Sequence, residues 1–430
     1  MTVCYGARTR LPPRLLPILY FAVAHVALAL ACLAVALDPR GVSGFFYHAR
    51  MLGIVHLVTL GWITASILGS LYIVGPIALR MWIPATWLDY TAFALVFIGV
   101  VGMVAHFWLQ EYGGMAWSAI AVGAGILTVG VHVARRLRHA PLLPAVGAHI
   151  MLAFVNIAGA ATLGVLIGFD KVYHFLPGFV LANVFAHAHL AAIGWASMMV
   201  VGIAYRLLPM VLPAASPKGR TLWISAVLLE AGTVGLFFSL LLRSRLVSAF
   251  AVVVAAGFAA FAYHVVWMLR RPRAAPPGLR RPDPAVLHAT ASFASLGIAS
   301  ALGVWLTIAE PSSAMLRVAM AYGVFGLVGF LGQIVVGMEG RLLPIFAWYW
   351  AYANSGYKGP VPSPHEMPWR NGQELVFVLW LFGVPALAGG LAFDAVPFVR
   401  AGAWCLLAAT FLDAVNVISI LRYAFLRPSA

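Results

Sequence analysis

Thirteen histidines in a chain of 430 residues that is 63% hydrophobic are the side chains best placed to do chemistry. Two of them open segments with matching punctuation, HLVTLGWITASILGSLYIVGP at 56–76 and HLAAIGWASMMVVGIAYRLLP at 189–209. At a constant offset of 133 residues, His56 matches His189, Gly61 matches Gly194, Trp62 matches Trp195, Gly69 matches Gly202, Tyr72 matches Tyr205 and Pro76 matches Pro209. Polar side chains inside a bilayer face a cavity, pair with one another or carry function. Two neutral imidazoles from adjacent helices can ligate a haem iron from both sides, giving a low-spin b-type centre suited to one-electron transfer. A lone intramembrane histidine is ordinarily a packing residue, but repeat-related placement of two favours ligation, so His56 and His189 are the expected axial pair.

His187 lies two residues from His189 and points about 200° away from it on a helix. It is therefore expected to serve a second haem or a metal on the opposite face. His48, His106 and His174 are expected near the same outer level as His187, where an imidazole cluster suits copper. The indoles of Trp62 and Trp195, deep in their segments, need an acceptor for their N–H, a cofactor propionate or a carbonyl. His132, His149, His264 and His288 belong toward the other side, where they either bind a second haem or quinone headgroup or, more commonly, hydrogen-bond to neighbouring carbonyls. Glu230, Glu339 and Asp413 fall within or at the edge of apolar runs, where a charge is costly unless paired. Arg341 is the expected partner of Glu339, and a proton path through these carboxylates is a subsidiary expectation.

Membrane helices must position these groups. With 9% charged residues, no water-soluble fold could carry this composition without large exposed apolar patches. Runs of the roughly twenty residues that cross a bilayer fall near 14–37, 51–76, 84–107, 115–137, 142–168, 179–205, 221–242, 248–269, 287–309, 316–343, 374–396 and 402–426. An all-α polytopic membrane protein of twelve transmembrane helices is predicted. With the N-terminus inside, cytoplasmic segments hold 20 of the 27 basic residues and external ones hold Arg40, Arg50, Lys171, Arg243, Arg245, Arg317 and Arg400. Both termini are thus expected in the cytoplasm. Contact of these basic residues with anionic lipid accounts for the net charge of +15, and no nucleic-acid partner is expected. Residues 1–13 are too polar, and the run from Leu15 to Leu37 too long, for a cleaved signal peptide. Cys4, Cys32 and Cys405 are isolated, so neither a disulfide framework, a thiolate metal site nor a covalently attached haem is expected.

A third copy of the punctuated segment is VFGLVGFLGQIVVGMEGRLLP at 324–344, with Gly329, Phe330, Gly337 and Pro344 in register at a further offset of 135 and Val324 in place of the histidine. HVARRLR from His132, HVVWMLRR from His264 and NVISILR from Asn416 mark the last helix of each unit. The chain therefore divides into three four-helix pseudo-repeats, 1–140, 141–285 and 286–430, with RRPRAAPPGLRRPDP at 270–284 as a cytoplasmic linker. The repeated glycines are expected to let helices approach closely, and the prolines to end them at the interface. The aromatic stretch at 346–369 is expected to form an interfacial belt.

Twelve helices in three groups of four, cytoplasmic termini and a histidine in the outer part of helix two resemble the central subunit of the haem-copper oxidase and nitric oxide reductase superfamily. His56 with its following glycine, tyrosine and proline is similar to the low-spin haem ligand helix of that subunit, above all in cbb-type oxidases. HAHLAAIGW, residues 187–195, looks like a subunit I-like motif. The departures are specific. The superfamily carries its H-x-H pair on helix ten, whereas 316–343 holds no histidine here and the pair sits on helix six as His187 and His189. TLWISAVLLEAGTVGLFF, helix seven, lacks the histidine that the active-site copper would take, so an ordinary dinuclear oxygen-reducing centre is not implied. A second resemblance is to NnrS-type haem and copper membrane proteins, linked to nitric oxide tolerance, through H-x-H and an H-x2-T-x-G-like segment matched by His56, Thr59 and Gly61.

The reading that follows is a b-type haem protein of the bacterial inner membrane, with one or two haems and copper as a further cofactor. It would transfer electrons or react a small diatomic, NO or O2, with quinol or a periplasmic cytochrome as donor and partner subunits alongside. Cofactor-binding residues are expected to be His56, His189, His187, Trp62 and Trp195; metal ligands His56, His189, His187, His48 and His106; no catalytic residue is assigned. The alternatives are a transporter of a metal ion or small solute, disfavoured by few membrane-embedded carboxylates and a threefold repeat, and a haem-binding assembly or sensing subunit without turnover.

Overall fold

Inside a bilayer every backbone N–H and C=O must find its partner within the protein, which makes helices the only solution for runs this apolar. The computed structural model describes residues 11–276, 278–279, 281–352 and 363–425, and no strand occurs among them. The protein is a polytopic membrane protein with twelve long helices among the described residues: α1 (Leu15–Leu37), α2 (Ala49–Ile77), α3 (Trp87–Leu109), α4 (Tyr112–Leu137), α5 (Pro144–Tyr173), α6 (Val180–Val211), α7 (Leu222–Leu241), α8 (Val247–Leu269), α9 (Pro284–Leu306), α10 (Ser313–Tyr352), α11 (Arg370–Ala392) and α12 (Val396–Phe425). Large apolar side chains such as Ile98, Val227, Phe382 and Phe411 point outward, as a lipid-facing surface requires.

The packing follows one plan three times. The first helix of each unit lies on its second (α1 on α2, α5 on α6, α9 on α10), and the third pairs with the fourth (α3 with α4, α7 with α8, α11 with α12). Each fourth helix leans on the first helix of the next unit, α4 on α5, α8 on α9, and α12 back on α1, so the bundle closes into a ring.

The registered glycines sit where first and second helices cross. A methyl group at Gly61 would stand 2.4 Å from Ala27 Cβ, at Gly194 2.8 Å from Asn156 Cβ, and at Gly329 2.9 Å from Ser295 Cβ. One level further along, it would stand 2.9 Å from Tyr20 Cβ at Gly69, 2.6 Å from His149 Cβ at Gly202, and 2.8 Å from His288 Cβ at Gly337. Only glycine permits these crossings.

Each second helix widens into a π-helical stretch, Leu57–Thr64, Leu190–Ser197 and Val324–Gly332, and the three stretches touch one another at the centre of the bundle. The expected role of the prolines needs correction for one unit. Pro76 and Pro209 stand in the last turn of α2 and α6, but α10 runs through Pro344 to Tyr352. A proline removes a single backbone donor, and the residues beyond it, Phe346 and Ala347, are fully buried and hold the helix together. Of the aromatic belt expected at 346–369, residues 353–362 lie outside the described residues.

Candidate functional site

His56 and His189 occupy corresponding places, each the residue just before a π-helical stretch. Their Nδ1 atoms lie 2.7 Å from Leu52 O and 2.8 Å from Phe185 O, one turn earlier in the same helix. His187 turns its Nδ1 to Ala160 O on α5, at 2.8 Å. Gly164 makes room for that ring, since a Cβ there would meet His187 Cε1 at 2.8 Å. A carbonyl oxygen only accepts, so each Nδ1 carries the proton and each Nε2 keeps its lone pair. This is how metal-bound histidines are ordinarily oriented.

The lone pairs go to different places. The His56 and His187 rings face each other with centroids 6.5 Å apart and planes within 24°, and neither Nε2 has a hydrogen-bond partner among the described residues. His189 instead accepts a hydrogen bond from the Tyr322 hydroxyl of α10 at Nε2, 3.1 Å, with the two rings 5.9 Å apart. The ring that the structure sets beside His56 is that of His187 and not the expected His189, because the two histidines on α6 look in opposite directions and His189 turns to Tyr322. Tyr322 was missed in the sequence, though the repeat register points to it: Tyr322 holds in the third unit the place that His187 holds in the second.

All four side chains line a cavity of about 660 Å³ in the middle of the bundle, whose wall is otherwise apolar, with Phe107, Ile157, Leu236, Phe258 and Phe330 among its members. Three of its hydroxyls are already engaged, Thr59 donating to Val55 O, Ser197 to Ala192 O and Thr64 accepting from Trp195, while that of Tyr47 has no hydrogen-bond partner among the described residues. One cation reaches the wall, Lys171, held near the end of α5 between the rings of Tyr47 and Tyr112 at 4.6 and 4.8 Å.

The tryptophans serve otherwise than expected. Trp195 lines the cavity but spends its N–H on Thr64 Oγ1, 3.1 Å away, tying α6 to α2. Trp62 is not on the wall. It is buried edge-to-face against His25, centroids 5.2 Å apart, with its N–H unpartnered.

The outer histidines do not assemble into a metal cluster with His187; among the described residues the one trio of potential ligands within reach of each other is His25, Glu339 and Asp413. His48 caps the start of α2, accepting the Met51 N–H at 3.3 Å. Burial and then the Arg50 guanidinium hold its imidazole below the usual range, partly offset by Asp38 and a backbone hydrogen bond, which suits an accepting ring. His106 bonds Gly102 O at 2.6 Å and lies 3.5 Å from Glu111.

Several remaining polar groups satisfy one another. His132 and Tyr72 converge on Asp89 at 2.8 and 2.7 Å, His149 reaches Ser225 at 3.2 Å, and His264 reaches Thr221 at 3.1 Å. Glu230 accepts from Asn156 at 2.8 Å. Arg341 does not pair with Glu339; it is bound by Asp283 and His365, and Glu339 faces His25 instead. The chain matches no model of a known protein family and no curated protein.

Proposed function

We propose that the central cavity holds a b-type haem between His56 and His187. The observation that carries this reading is the facing pair of imidazoles, each anchored at Nδ1 on a backbone carbonyl and each with a free Nε2 at the wall of an apolar cavity. His56 and His187 would hold the group through their Nε2 atoms, and the 6.5 Å between their ring centroids leaves space for a metal between them. A cavity of about 660 Å³ is also of the size that holds organic ligands.

Such a group supplies one-electron transfer. The protein's share is to fix both rings through Leu52 O and Ala160 O, to exclude water with an apolar wall, and to offer Lys171 to an anionic edge. His189 and Tyr322, on the other side of α6, form a hydrogen-bonded pair at the same cavity that would supply the proton if a small diatomic, NO or O2, were reduced there by an electron passed from the bound group. In this reading the termini are cytoplasmic, the membrane is a bacterial inner membrane, and quinol or a periplasmic cytochrome delivers electrons.

The test is the optical spectrum of the purified full-length protein, oxidised and dithionite-reduced. A reduced b-type α band, lost in both His56→Ala and His187→Ala and kept in His189→Ala, supports the assignment. A colourless protein from cells grown with ample haem overturns it and shifts the balance to a carrier whose cargo occupies the cavity.

A further inference from the structure

A second polar cluster lies apart from the cavity, where the last helix of the chain meets the first. His25 of α1, Glu339 of α10 and Asp413 of α12 are all buried, with their ligand atoms within 4.8 Å of one another. His25 Nε2 lies 3.4 Å from Asp413 Oδ2 and 3.5 Å from Glu339 Oε2. Among the described residues no N–H or hydroxyl group donates to either Glu339 oxygen.

A neutral ring leaves this group with no positive charge, and the group is balanced either by two added protons, one on the ring and one on a carboxyl, or by a bound cation. His25 Nδ1 is 2.8 Å from Phe21 O, which only accepts, so the proton of a neutral ring is spent there. Its Nε2 lone pair then points at two carboxylates, three electron-rich groups converging with nothing positive between them. Protonating Nε2 alone leaves one positive charge for two buried carboxylates, so either a further proton on a carboxyl or a cation must occupy the group. Uncompensated charge of this kind is among the costliest features a membrane interior can hold.

The repeat shows that the architecture does not require these residues. In register, the place of His25 is taken by Phe154 and Phe293 in the other units, that of Asp413 by Val129 and Phe261, and that of Glu339 by Leu71 and Ala204. Phe261 and Phe293 pack directly on each other, centroids 5.6 Å apart. One of three equivalent interfaces is thus polar and two are apolar, so the polar one answers to a ligand and not to packing.

We propose that His25, Glu339 and Asp413 bind one divalent first-row metal ion. Bonds of about 2.1 Å to a tetrahedral ion set its ligand atoms about 3.4 Å apart, which the observed 3.4 and 3.5 Å match. One imidazole and two carboxylates suit zinc, manganese or ferrous iron, neutralise a double positive charge, and leave further coordination positions open.

The test uses full-length protein stripped with EDTA, loaded with Zn²⁺, desalted and analysed for metal content, with iron counted separately. One zinc per chain is expected in the wild type, and at least tenfold weaker binding in Glu339→Gln. None is expected in the triple variant His25→Phe, Glu339→Ala, Asp413→Val, which carries residues the other units use and retains its melting temperature. Should the single variant misfold, the triple variant still decides. Wild-type uptake equal to that of the triple variant overturns the proposal. So does a protonated-carboxyl infrared band in zinc-treated wild type that Glu339→Gln removes, because a proton would then occupy the site.

Discussion

At the scale of the residue, what each cavity histidine is able to bind turns on which of its nitrogens is spent, and the predictions that follow take the proposed haem as their premise. Replacing Tyr322 by Phe removes the donor to His189 Nε2 but leaves the ring contact. The α band is expected to persist in this variant, while the rate of reaction with added NO changes severalfold; loss of the α band would place Tyr322 at the haem itself. Asp89 is a separate case. Fully buried, it accepts from Tyr72, from His132, and from the backbone and hydroxyl of Thr86. Asp89→Ala strands these donors and is expected to cost about 3 kcal/mol, read as a lower melting temperature in detergent, with no change in the haem spectrum. The sequence draws attention to His56, His187 and His189 and pairs His56 with His189, whereas in the structure the ring beside His56 is that of His187. Helical spacing shows that His187 and His189 diverge; which of them meets α2 depends on how α6 is rotated, and that is decided by packing across units. Tyr322 stayed hidden because the third copy was judged by its missing histidine at Val324.

At the scale of the element, the crossing glycines and the π-helical stretches act together. Gly202→Ala drives a methyl group to 2.6 Å from His149 Cβ, an atom held by the backbone of α5 and unable to swing aside. A loss of about 1–3 kcal/mol is expected, and the α band should weaken in parallel, since α5 also carries the carbonyl that orients His187. A variant with full stability would show that the crossing relaxes freely. Helix number and positions were legible from apolar run length alone, and the glycines from their constant spacing. The π-helical stretches were not, because a wider turn leaves no compositional trace: Leu57–Thr64 reads like any apolar helix. The end of α10 was misplaced for a related reason, that Pro344 looks in sequence like Pro76 and Pro209, while its different outcome comes from burial of Phe346 and Ala347.

At the scale of the whole molecule, a polar tie through Arg341 of α10 links the segment ahead of α9 to the loop before α11. Arg341 binds Asp283 and donates to His365 Nδ1 at 2.9 Å. Burial, followed by the Arg341 charge, holds the His365 imidazole below its usual range, with Glu366 opposing. The folded state therefore disfavours the proton that the unfolded chain takes up near pH 6.5. Stability contributed by neutral His365 is present above that pH and falls as the pH drops below it. Melting temperature is expected to decline between about pH 7 and 5, less steeply in His365→Gln; equal slopes would assign the decline to other groups. The expected orientation is checked by single cysteines at Ser216 and Ser244 in a background lacking native cysteines, with an impermeant reagent expected to label position 244 alone in intact cells.

Ring closure also has a meaning in time. A membrane chain is threaded into the bilayer from its N-terminus, so His25 enters at the outset and Asp413 only with the final helix. Until then α1 carries a polar side chain whose neighbours have not been made, and a prematurely ended chain never acquires them. The His25–Glu339–Asp413 junction thus forms only once α12 has entered, and the packing of α1 is expected to wait for it.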